Sequence, residues 1–201
     1  GRTTLFDMLG GAYVTRRMQR RFDTAVLYPP MLQVSLGVAR TFREPNKTML
    51  LLREPLVMGT DRECREMLVR ICSFDPTFAP PGKTAVVVNL RCHDDSYWQQ
   101  LRRQDRETYV REKQRVADVV IDALQERYGG IREHLEVTDV ATPATYERYT
   151  GIWRGSYQGW APTPGFVGRS FEKKLPGLVN FYMAGQWVEP ASGLPRAMFS
   201  A

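Results

Sequence analysis

Apolar and polar positions alternate through MLQVSLGVAR, residues 31 to 40, just after Pro29 and Pro30, and this two-residue period predicts a half-buried strand. MLLLREPLVMG, residues 49 to 59, supplies a second apolar run interrupted by Pro55. In EMLVRICSFD, Met67, Val69 and Ile71 alternate against Leu68, Arg70 and Cys72, giving a third strand. Pro76, Pro80 and Pro81 deny ladder donors to the stretch from Asp75 to Gly82, which reads as a loop. KTAVVVNLR carries β-branched residues on both faces, so both faces of that strand are expected to be covered. Four strands with short connections favour an antiparallel sheet.

The period then changes. Tyr109, Val116, Val120, Leu124 and Tyr128 fall mostly four apart with charges between them, which predicts a long helix stopped by Gly129 and Gly130 in a left-handed C-cap. LEVTDVAT is a further strand, and Thr142 followed by Pro143 is a helix start with a hydroxyl cap. GIWRGSYQGWAPTPG is a loop rich in Gly, Trp and Pro whose aromatics need a surface to lie on. Val179 to Met183 is expected to be a strand running into Ala184 and Gly185, and Gly193, Leu194 and Pro195 to open a helix. Glycine at a strand end lets a ligand approach the backbone, and a helix start offers free N–H groups.

Charge adds little to this pattern. The 201 residues carry a net +6 with 43% hydrophobic and 25% charged positions, an ordinary globular composition. Residues 1 to 43 hold seven Arg against Asp7 and Asp23, a local +5, with Arg16, Arg17, Arg20 and Arg21 on one side of a helix that also carries Leu9, Tyr13, Met18 and Phe22. That face reads as a solvated surface or as a contact for an anionic membrane. Nine basic and eight acidic residues between Arg91 and Arg132 nearly cancel, which argues against nucleic acid as a partner. No apolar run reaches the ~18 residues of a membrane span, so a cytoplasmic or peripheral membrane location is expected. The start at Gly1 and the stop after Phe199, Ser200 and Ala201 read as parts of a longer protein.

Candidate chemistry is sparse. Cys64, Cys72 and Cys92 have no paired spacing, so neither a zinc site nor a disulfide framework is indicated. Cys92, His93, Asp94 and Asp95 are adjacent, and on an extended chain adjacent side chains point apart and do not converge on a metal or a substrate. His134 falls in a turn at the surface. No carboxylate is singled out as a general base.

The run FYMAGQWVEPASGLPRAMFSA is similar to the C-terminal flavin-contacting motif of the phytoene desaturase, carotenoid isomerase and retinol saturase superfamily, within the larger amine-oxidase-like group. SFDPTFAPPGKT, DVATPATYERYTG and GSYQGW also match, so the resemblance covers the chain from about Leu32 onward. It implies an α+β fold: a mostly antiparallel sheet with packed helices as substrate domain over roughly residues 1–170, and over 171–201 the returning strand and helix start of a Rossmann-type FAD domain. No GxGxxG follows a strand here, so the front half of that domain is missing and the isolated chain is not expected to retain FAD.

Flavin-binding roles carry over onto Ala184, Gly185, Gln186, Gly193, Leu194 and Pro195. Many members have Gly where Ala191 stands, so Ala191 and Ser192 leave that turn less backbone freedom. Trp153, Tyr157 and Trp160 become candidates for the wall of an apolar substrate channel or, equally, core aromatics that anchor the loop. Arg148, Tyr149 and Arg154 are candidates to orient a polar group or to balance flavin charge. The implied activity is FAD-dependent desaturation, saturation or isomerisation of a carotenoid-like or retinoid-like polyene, and the alternative is a binding or scaffold module without catalysis.

Overall fold

The structure is a computed structural model that describes residues 1–59, 63–166, 169–189 and 193–200. Its α-helices among the described residues are α1 (Arg16–Thr24), α2 (Asp95–Gln104), α3 (Arg106–Tyr128), α4 (Pro143–Thr150) and α5 (Leu194–Phe199). Its strands are β1 (Met31–Val38), β2 (Lys47–Leu56), β3 (Cys64–Ile71), β4 (Thr84–Arg91) and β5 (Leu135–Ala141). The chain divides into two compact units, Pro30–Gly155 and a second made of Gly1–Pro29 with Ser156–Ala201. The division therefore falls near residues 30 and 155, whereas the sequence suggested one boundary near residue 170.

Pro30–Gly155 is α+β. Its five strands form an antiparallel sheet in the order β2-β3-β4-β1-β5. Register places Val69, Val88, Val34 and Val140 in one row and Met67, Leu90 and Leu32 in the next, all buried. Those rows share one core with Val116, Ala117, Val120, Ile121 and Leu124 of α3. Each such Val, Leu, Ile or Met side chain taken fully out of water contributes ~1.5–3 kcal/mol before entropy is charged against it. Pro55 is tolerated because β2 is an edge strand, and the β2–β3 register shifts between Leu51 and Leu56 around it.

The opposite face corrects one expectation. Ala85, Val87 and Asn89 of β4 are only half-buried, so this strand alternates and is not covered equally on both sides. β-branched residues suit a pleated, half-buried surface as well as a buried one, and composition could not separate the two cases.

The charged stretch from Arg91 to Arg132 contains two helices where one was predicted. Asp94 accepts the Tyr97 N–H at 2.9 Å and caps α2, and Asp105 accepts the Thr108 N–H at 2.9 Å and caps α3. The hydrogen bonds from Thr108 stabilise the ionised form of Asp105 and hold its pKa below the ordinary carboxylate value. Gly129 closes α3 at φ 64° and ψ 164°. Its φ is positive as predicted, but its ψ is extended and outside the left-handed helical region. α4 begins as expected, with a reciprocal capping box between Thr142 and Thr145.

In the other unit, Thr15 caps α1 by accepting the Met18 N–H. Met18 is buried, Arg16, Arg17 and Arg20 are exposed, and Arg21 is half-buried. Leu9 and Tyr13 precede α1 and do not lie on it; they pack against a small core of Leu5, Met18 and Leu175. Among the described residues no helix is long and apolar enough to cross a membrane.

Candidate functional site

The predicted strand from Val179 to Met183 is not formed. Asn180 adopts φ 61°, Val179 is 87% exposed, and the Met183 N–H bonds to the Lys173 carbonyl at 2.8 Å. A strand is defined by its hydrogen-bonded neighbour, and no strand lies beside this segment among the described residues. Gly185 still makes a sharp turn, at φ 100°, and its carbonyl accepts the N–H groups of Val188 and Glu189. Among the described residues a Cβ placed on Gly185 would meet nothing within 4 Å, so they leave the backbone bare on that side.

α5 starts at Leu194 as expected, but the end of the segment that meets Gly185 is its C-terminal one. The Gly185 N–H donates to Ser200 Oγ at 2.5 Å, and that hydroxyl donates to the Ala197 carbonyl at 2.6 Å. Gly185 can therefore give a ligand close contact but no hydrogen bond. Ala184, Gly193, Leu194 and Pro195 are exposed and Gln186 is half-buried. Ala191 and Ser192, whose identities bear on the adjoining turn, lie outside the described residues. Ser200 was not a sequence candidate, because its role depends on α5 folding back over fifteen residues.

The candidate substrate aromatics have separate surroundings. Trp160 is fully buried; it stacks on Phe171 at 5.1 Å and meets Trp187 and Phe22 edge-on. Its Nε1–H donates to the Trp187 carbonyl at 3.1 Å. This is the environment of a core aromatic that anchors the loop. Tyr157 is half-buried and packs edge-on against Tyr28 at 5.7 Å. Trp153 belongs to the Pro30–Gly155 unit, half-buried beneath the Arg154 guanidinium at 5.7 Å.

Arg154 is a structural clamp. At φ 55° it donates from Nε and Nη2 to the two carboxylate oxygens of Asp95 at 2.6 and 2.8 Å, and this hydrogen bonding raises its pKa further above the ordinary value. Asp95 is the first residue of α2 and is buried, so the pair ties the WRG turn to that helix. The expectation that adjacent residues here lie on an extended chain is corrected, since β4 ends at Arg91 and Asp94 already caps a helix. The four do diverge: Cys92 is buried, His93 is exposed, Asp94 caps and Asp95 pairs with Arg154. No cluster of His, Cys, Asp and Glu suited to a metal occurs among the described residues. Arg148 lies 5.2 Å over the exposed Tyr149 ring, and His134 is exposed in a turn as predicted.

No family model matches the chain, and no curated protein matches it.

Proposed function

We propose that the chain is part of an FAD-dependent oxidoreductase of the phytoene desaturase, carotenoid isomerase and retinol saturase kind, acting on a long apolar polyene. The observation that carries this reading is Gly185, which lies in the FYMAGQWV run with positive φ and open space where a Cβ would stand. Val179, Tyr182, Leu194, Met198 and Phe199, all more than half exposed, support it, because they are large apolar side chains that a bound cofactor or substrate would take out of water. The five-stranded antiparallel sheet with helices packed on one face supports a substrate domain.

In this reading Ala184, Gly185, Gln186, Gly193, Leu194 and Pro195 hold FAD, and residues outside these 201 grip its pyrophosphate. The bound cofactor supplies the hydride or electron transfer. The chain's own residues position and enclose. Gly185 leaves room for a ring to approach, Leu194 and Pro195 offer apolar contact, and Ser200 fixes the turn by accepting the Gly185 N–H. Trp160 holds the loop by packing, and Arg154 with Asp95 fixes the adjoining WRG turn.

The test is expression of the complete protein, with flavin content read from its absorbance and acyclic carotenes, cyclic carotenes and retinol offered as substrates. Bound FAD with changed polyene conjugation or geometry is expected, and the isolated chain should purify without stoichiometric flavin. Gly185→Val should lower flavin content about tenfold or more, because a β-branched residue is strained at positive φ and fills the approach space. Oxidation of a small amine with every polyene unchanged would refute the substrate class. A complete protein without flavin would favour the scaffold alternative.

A further inference from the structure

A cavity lies within the unit formed by residues 1–29 and 156–201, apart from the Gly185 turn. It has a volume of about 360 Å³ and is lined by Arg21 and Thr24 of α1 and by Gly165, Phe166, Arg169, Ser170 and Phe171 of the C-terminal loop. That volume lies at the lower end of the range for small-molecule sites.

Its wall has two chemistries. One is flat and apolar. The Phe166 ring stacks on Phe171 at 5.7 Å and 12°, and Phe171 stacks in turn on the fully buried Trp160. The cavity is therefore bordered by a rigid pile of parallel rings.

The other chemistry is cationic, and no carboxylate lies among the lining residues. Arg21 is held in place, donating from Nη1 to the Ser170 carbonyl at 3.0 Å and to Glu172 Oε1 at 3.2 Å. Arg169 is exposed; its backbone N–H donates to the Phe166 carbonyl at 3.2 Å, and its guanidinium makes no hydrogen bond or ion pair among the described residues. Thr24 and Ser170 have already committed their hydroxyl protons, to the Arg20 carbonyl and to Glu189. The guanidinium of Arg169 is thus the donor left for a ligand, with Arg21 as the fixed second charge. The C-terminal carbonyls of α1 and the Glu172 and Glu189 carboxylates oppose an anion, but neither carboxylate lines the cavity, and a helix end carries only a partial charge, so the Arg169 guanidinium is the full charge that a ligand in the cavity meets first.

We propose that this cavity binds an anionic oxygen group carried on a flat ring, with the anion at Arg169 and Arg21 and the ring against Phe166. Guanidinium groups pair with carboxylate and phosphate oxygens, and an aromatic face favours a parallel, offset ring. Both an aromatic carboxylate and a nucleoside monophosphate present this chemistry. The proposal is independent of the flavin reading, since none of its residues belongs to the Gly185 and Leu194 group.

The test is calorimetric titration of the 201-residue chain with 2-naphthoate, adenosine monophosphate, the neutral 2-naphthylmethanol and inorganic phosphate. One of the two ringed anions should bind at or below about 1 mM, the neutral ring and bare phosphate should bind more weakly, and added salt should weaken the interaction. Whichever ringed anion binds identifies the source. Arg169→Ala should weaken binding about tenfold or more, the loss of one charge-assisted contact. Glu172→Gln should tighten it, because Arg21 is released from its competing carboxylate. Opposite effects of the two variants cannot both come from misfolding, and circular dichroism confirms that each is folded. The proposal is overturned if neither ringed anion binds, if the neutral ring or bare phosphate binds as well, or if Arg169→Ala leaves binding unchanged.

Discussion

Gly155 and Gly151 both have positive φ, 68° and 66°, and they differ in what a side chain would strike. A Cβ on Gly155 would lie 2.5 Å from the Pro143 carbonyl oxygen and 2.7 Å from Pro143 Cα, whereas one on Gly151 meets nothing within 4 Å. Pro143 is the first residue of α4, so the obstacle is backbone that no rotamer change can move away. Gly151→Ala therefore carries only the left-handed penalty of ~1–2 kcal/mol, partly offset by ~0.4–1 kcal/mol from a stiffer unfolded chain. Gly155→Ala adds a forced backbone displacement of ~1–3 kcal/mol, taking its total to ~1–5 kcal/mol. With a urea slope of about 2 kcal/mol/M, the Gly155 variant should unfold ~0.5–1.5 M below the Gly151 variant. Far-UV circular dichroism during urea titration follows the sheet and helices of the Pro30–Gly155 unit. Equal midpoints for the two variants would falsify the packing of the WRG turn against α4.

Thr142→Ala removes both the capping box and the 2.8 Å bond between the Thr142 and Tyr109 hydroxyls, and a loss of ~1–2 kcal/mol is expected in thermal or urea unfolding; a change within error would mean the cap contributes nothing. Asp105 has a folded pKa lowered by its hydrogen bonds to the α3 start, so its stabilisation is fully present above the unfolded value of about 3.9 and is lost as pH falls through the folded one. Asp105→Ala should accordingly lower the unfolding midpoint at pH 6, with a gap to the parent protein that narrows as pH falls below about 3.9, whereas a gap that stays constant with pH would contradict the assignment.

Where a local rule was sufficient, the sequence by itself determined the element. The alternation of Leu32, Val34, Leu36 and Val38, the four-residue spacing through Val116, Val120 and Leu124, and the Thr142–Pro143 start are set by backbone period and by caps within a few residues. The antiparallel sheet followed from short connections. The two-helix arrangement was also written locally, in Asp94 and Asp105 as caps, but it was hidden beneath a balanced run of charges.

Tertiary structure decided everything that required a distant partner. The Val179–Met183 segment has a strand's composition yet stays unpaired, because ladder bonds come from a neighbour and not from side chains. Trp160 could be a channel wall or a core anchor until Phe171, Phe22 and Trp187 closed around it. Arg154 and Asp95 lie fifty-nine positions apart and Arg21 and Glu172 one hundred and fifty-one, so neither pair leaves a periodic trace in the chain. Periodicity reports which face of one element is buried; which residues of two elements meet is fixed only when their faces pack.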